Sequence, residues 1–268
     1  MILFAKRRLA KIWNYRDFIK SSILNDVRMR FSRSSIGGLW VLIQPLAQSA
    51  IFALVLAVIM KARLPGIDNT HAYAAYLLSG MLCWSLFQES LFKGLGLFTD
   101  NAGLIKKVNF PLLTLPLIGA GICLLNNTFL FIATALILVL LGFFPTEKII
   151  FLPLLMILTL LIGFSIGLVL GVFNAFVRDV GVVVPIIMQF LFWFCPIVYS
   201  PASLPPVFWD IVVRNPMSGL VQSYQAILVF DSAPHLNWLL PALVIGALSL
   251  ILFRFLLRRT FAQLVDIL

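Results

Sequence analysis

Few residues in this chain have side chains suited to chemistry, and most of those stand apart from one another. Glu89 and Lys93 are spaced i, i+4 near the end of an apolar segment, which puts both on one helix face and lets them pair. Lys106 and Lys107 interrupt apolar sequence in NAGLIKKVNFP, residues 101–111, and Arg178 and Asp179 adjoin in AFVRDVG. Arg28, Arg30 and Arg33 cluster near the N-terminus, and Gln44 and Gln48 are i, i+4 in otherwise apolar sequence. No G-x-x-x-x-G-K-[ST] loop is present to cradle phosphates, and no H-E-x-x-H or Ser/His/Asp set appears. Cys83, Cys123 and Cys195 lie in apolar runs without metal spacing, so they read as small buried hydrophobes. Asp68, Glu147, Asp210 and Asp231 are scattered among polar loops. No catalytic group, metal site or cofactor is expected in this chain.

The elements that must position these residues are membrane helices. Of 268 residues 62% are hydrophobic and 11% charged, with a mean hydropathy of +1.06. Soluble domains are about 45–50% apolar and about 25% charged, so the solvent must be the bilayer. The fold class is all-α and polytopic, and residues 34–268 divide into six spans at about 38–60, 72–97, 112–142, 149–176, 180–199 and 238–257. Each has at least the roughly 20 residues a spanning helix needs. Val108–Thr146 holds no charge, and as one helix it would be about 58 Å long, so prolines and Gly142 must trim it to one long span. Residues 216–230 are apolar but too short to cross, which suits a re-entrant or interfacial helix between spans five and six.

Residues 1–33 carry nine basic side chains, and Ile19, Ile23, Val27 and Phe31 recur every fourth position. This predicts an amphipathic helix lying in the headgroup region; no short apolar core and cleavage site of a signal peptide is present. With six spans both termini share one side. That side holds fifteen Lys and Arg against four on the other, which predicts cytoplasmic termini. The net charge of +10 therefore reads as membrane topology, with no nucleic acid implied. Titratable groups are nearly absent from mid-membrane, where ion-coupled transporters keep them, so any transport needs an external motor.

RMRFSRSSIGGLWVLIQPL (28–46), YLLSGMLCWSLF (76–87), NAGLIKKVNFP, FVRDV (176–180), QFLFWFCPIVYSP (189–201) and NPMSGLVQSYQ (215–225) occur in order along nearly the whole chain. Together they resemble the membrane subunit of a type-2 ATP-binding-cassette exporter, in the branch that exports O antigen, capsule or teichoic acid. The resemblance implies a homodimeric permease in the bacterial inner membrane. Two copies of a separate ATPase subunit would hold the ATP and Mg. The cargo would be a polysaccharide on undecaprenyl diphosphate, with O antigen expected first. A drug or small lipid is the nearest alternative cargo. A membrane-embedded glycosyl or acyl transferase is disfavoured by the missing carboxylate and histidine clusters.

The resemblance also distributes roles. NAGLIKKVNFP matches a coupling region, so Asn101, Leu104, Ile105, Lys106 and Lys107 are candidates for ATPase contact, with Arg178 and Asp179 as a second contact. The N-terminal helix matches a gate helix. Its Arg28, Arg30 and Arg33 suit a lipid-carrier diphosphate, since guanidinium binds phosphate bidentately, or simple anchoring on anionic lipid. Aromatic faces offer sugars contact without fixing one hydroxyl pattern, which makes Phe190, Trp193, Phe194, Tyr199, Trp84 and Phe87 candidate channel residues, although a lipid-facing belt uses the same residue types. Gln44 and Gln48 suit either sugar contact or a helix seam.

Overall fold

A computed structural model describes residues 15–33, 36–55, 71–107, 114–144, 146–234 and 236–267. All regular elements among them are helical. In chain order they are α1 (Arg16–Arg33), α2 (Trp40–Phe52), α3 (Ala72–Leu95), α4 (Leu97–Asp100), α5 (Ala102–Lys107), α6 (Thr114–Leu140), α7 (Leu152–Phe176), α8 (Val180–Trp193), α9 (Pro206–Arg214), α10 (Pro216–Leu228) and α11 (Leu236–Ile267). Among the described residues four stretches are long and apolar enough to cross a membrane: Gly37–Val55, Thr114–Leu140, Glu147–Phe176 and Asn237–Phe261.

The helix α3 is not among those four, and its place in the fold explains why. At 24 residues it is about 36 Å long, enough to span the core. It is buried on nearly every side, packed by α7, α6, α10 and α2. A helix that meets protein on all faces can carry Ser79, Gln88, Glu89 and Ser90, because its neighbours and not lipid surround them.

Packing of α7 on α3 is set by glycine. Gly163, Gly167 and Gly171 recur every fourth residue and form one ridge. A Cβ on Gly167 would lie 2.2 Å from the Leu91 carbonyl oxygen, and one on Gly171 2.4 Å from that of Gly94. The two backbones touch there, as small residues permit in membrane interfaces. Gly142 has φ +88° and ends α6 in the left-handed conformation common after a helix. At the start of α10, the Asn215 side chain accepts from the Met217 N–H at 3.1 Å and Pro216 begins the helix.

Helix ends depart from expectation in two places. The fifth segment was expected to reach Tyr199, but α8 stops at Trp193, and at 14 residues it is about 21 Å long. Pro196 interrupts the chain beyond, which turns back with Ile197 and Val198 buried. The last segment was expected to end near 257, yet α11 continues to Ile267. Its final turns are held by packing: Leu264 is fully buried with Leu97, Phe98, Val172 and Ala175, while Leu256, Leu257 and Ile105 pack against the same cluster. The first segment was expected to reach 60, and residues 56–60 lie outside the described residues.

Candidate functional site

The expected coupling residues gather at one end of the bundle. At α5, the Asn101 side-chain amide donates to the Leu97 carbonyl at 2.8 Å, while its own carbonyl accepts the Leu104 and Ile105 N–H groups at 3.0 Å. That fixes the short helix to α4. Leu104 and Lys106 are exposed, whereas Ile105 turns inward onto the α4–α7–α11 cluster. The side chain of Lys107 lies outside the described residues. The turn from α7 to α8 exposes Arg178 and Asp179. It reaches the same end because the Asn174 amide donates to the Leu95 carbonyl at 3.3 Å. The two candidate contacts thus share one face, with Ile105 as the link from that face to the long helices.

A second group lies where α2, α3 and α8 meet. Phe52 stacks on Phe192 with centroids 5.6 Å apart. Trp84 meets Phe192 edge-on at 5.5 Å, and Trp193 meets Phe52 at 6.1 Å. Phe87 lies 5.8 Å behind Trp84. Trp84 and Phe87, expected to line a channel, are instead buried inside the helix bundle of the chain, because its neighbours cover α3 on nearly every side; they support the aromatic ladder from behind. Phe190 and Trp193 are exposed on α8, and Phe194 is exposed just after it. Gln44 and Gln48 are exposed on α2, with Trp40, Ile43 and Ile51 on the same face. That face carries a shallow groove of about 430 Å³.

The end of α8 and the turn after it leave carbonyls that no helix satisfies, and five side chains, four of them distant in sequence, claim them. Tyr73 donates to Val198 O at 2.5 Å. Tyr76 donates to Pro196 O at 2.9 Å, and Gln225 donates to the same oxygen at 2.9 Å. Asn215 donates to Phe194 O at 3.2 Å. Tyr199, half-buried, donates its hydroxyl to Trp193 O at 2.8 Å. Buried irregular backbone requires such partners. Sequence reading missed Tyr73, Tyr76, Asn215 and Gln225. A usable signal was two tyrosines three apart in AYAAY, at the start of α3, which is not among the stretches apolar enough to cross a membrane.

A third group joins α1 to the core. The stripe side chain Ile23 lies against Gly121 of α6, while Phe18, Leu24 and Met29 are exposed on the other side of α1. Arg30 pairs with Asp26 at 2.7 Å and donates to Asn126 Oδ1 at 3.5 Å, and Asn126 in turn donates to Glu89. The expected Glu89–Lys93 pair is therefore not formed: no ion pair joins them among the described residues, and α6 brings the Asn126 amide to Glu89 instead. A cavity of about 160 Å³ adjoins this chain of contacts, lined by Val27, Leu42 and Phe129 among others. Arg28 is exposed, and the Arg33 side chain lies outside the described residues. Among the described residues no cluster of His, Cys, Asp and Glu has metal-binding geometry, and all three cysteines are free and buried.

Several known proteins are similar to this chain in sequence. The chain is 24% identical over 251 residues to the O-antigen export system permease protein RfbA of Myxococcus xanthus, covering 92% of each chain. It is 26% identical over 203 residues to RfbA of Klebsiella pneumoniae, covering 75% of each. It is 24% identical over 209 residues to the polysialic acid transport protein KpsM of Escherichia coli, covering 76% of this chain and 78% of that one. The family model described as ABC-2 type transporter matches residues 19–229. That match runs from within α1 to just past α10 and takes in all three groups of residues just described: the chain belongs to the ABC-2 type transporter family.

Proposed function

We propose that this chain is the permease subunit of an ATP-driven exporter of a lipid-linked polysaccharide, with O antigen as the first candidate. The reading rests most directly on similarity along nearly the whole chain to permeases named for O-antigen and polysialic acid export. The permease works as a homodimer with six spans per copy and cytoplasmic termini in the inner membrane. Two ATPase subunits bind ATP and Mg and dock on the face of α5 and the Arg178–Asp179 turn. The exposed faces of α2 and α8 from two copies enclose the path, where Phe190, Trp193 and Phe194 stack on sugar rings and Gln44 and Gln48 hydrogen-bond to them. The cargo is carried on undecaprenyl diphosphate, and α1 lies at its lateral entry, with exposed Arg28 beside the carrier phosphates. The non-helical 194–199 turn and the buried α10 close the outer end.

The test is complementation. Cells lacking the gene accumulate lipid-linked glycan inside and lose it from the surface, and the intact chain, with its ATPase, restores surface glycan. Restoration of drug resistance without any change in glycan would overturn the cargo assignment.

A further inference from the structure

We propose that the flank formed by α6, α7 and α11 holds an anionic membrane phospholipid. A groove of about 670 Å³ runs between these helices. Leu117, Leu161, Phe164 and Phe253 form its apolar length, and Arg254 and Arg258 stand at one end; no acidic side chain among the described residues lines it. The two arginines are i, i+4 and so share a face. Neither has an ion-pair partner among the described residues. Their neighbour Arg259 is differently engaged, 4.5 Å over the ring of Phe255.

Depth selects the occupant. Counting from Leu236, Arg254 lies about 27 Å along α11 and Arg258 about 33 Å, which brackets the roughly 30 Å hydrocarbon core. The guanidinium groups therefore sit at headgroup level, with the apolar groove below them. A ligand that fills both parts has fatty tails and a phosphate, and guanidinium holds phosphate bidentately. None of the lining residues belongs to α2 or α8, so the groove is separate from the faces assigned to cargo. It also adjoins the cluster that receives Ile105, since Phe253, Leu257, Phe164 and Leu168 belong to both. A bound lipid thereby braces the helix ends that the coupling element moves.

Native mass spectrometry of the full-length chain released from mixed micelles is the test, with dioleoyl phosphatidylglycerol and dioleoyl phosphatidylcholine as probes. The wild type is expected to retain the anionic lipid selectively. Arg254→Gln with Arg258→Gln should cut that selectivity about 30-fold, each basic residue near an anionic surface being worth roughly fivefold. Leu161→Trp should lower retention of both lipids by filling the groove. Arg214→Gln, an exposed arginine outside the groove, should change nothing. The single arginine variants serve if the double variant does not insert. Equal retention of both lipids by the wild type, unchanged selectivity in the arginine variants, or an equal loss with Arg214→Gln would overturn the proposal. So would displacement of phosphatidylglycerol by an equimolar polyprenyl phosphate, which would make the groove a cargo site.

Discussion

Single side chains carry most of the polar accounting here. Pro196 O takes hydrogen bonds from both Tyr76 and Gln225, so losing one donor leaves the other. Tyr76→Phe and Gln225→Leu should each destabilise by about 0.5–1.5 kcal/mol. The double variant should lose more than the sum, since it alone orphans the carbonyl; thermal unfolding in detergent checks this, and simple additivity would show that the two bonds do not back each other up. Asn126 presents a harsher case, because it connects Arg30 of α1 to Glu89 of α3. Asn126→Leu leaves a largely enclosed carboxyl without its donor and should cost about 1–3 kcal/mol, whereas Asn126→Gln should recover part of it.

At the scale of elements, contact geometry separates packing from coupling. A side chain at Gly167 would run into the Leu91 backbone, and backbone cannot rotate aside. Gly167→Leu should destabilise by about 1–3 kcal/mol or more and lower the amount of inserted protein, measured by immunoblot of membranes. Within α5, neighbouring residues should behave oppositely. Ile105 faces the inner cluster while Leu104 and Lys106 face out. Reversing charge at Lys106 and Lys107 should uncouple export from ATP hydrolysis while leaving the fold intact. Ile105→Ala should chiefly lower the melting temperature. Full ATPase stimulation in the charge-reversed protein would remove α5 from the docking face.

For the whole molecule, the proposed function makes the exposed aromatic and glutamine faces of α2 and α8 the surfaces that a second copy and the cargo would share. The native cysteines are all buried, so single cysteines introduced at Gln48 or Phe190 can report on that surface without interference. Cross-linking between two copies is expected at one or both positions, and none at Leu161 on the opposite flank. Trp193→Ala should reduce surface glycan severalfold without loss of inserted protein. Wild-type surface glycan would take Trp193 out of the path.

Composition and charge placement alone determined that the chain is an all-helical membrane protein, because the bilayer accepts only helices or closed barrels and rewards long apolar runs. The order of short motifs determined the family, and the apolar run Val108–Thr146 correctly signalled one long helix, α6. Tertiary structure decided what local sequence cannot encode. Periodicity paired Glu89 with Lys93, but a helix distant in sequence supplied Asn126. Aromatic content marked Trp84 and Phe87 for a channel, but the all-round burial of α3 placed them inside. Residues 180–199 looked like one span, yet Pro196 and four distant donors made a shorter helix and a clamped turn. In each case a non-local partner changed the energy of a local choice, and such partners exist only once the chain has folded.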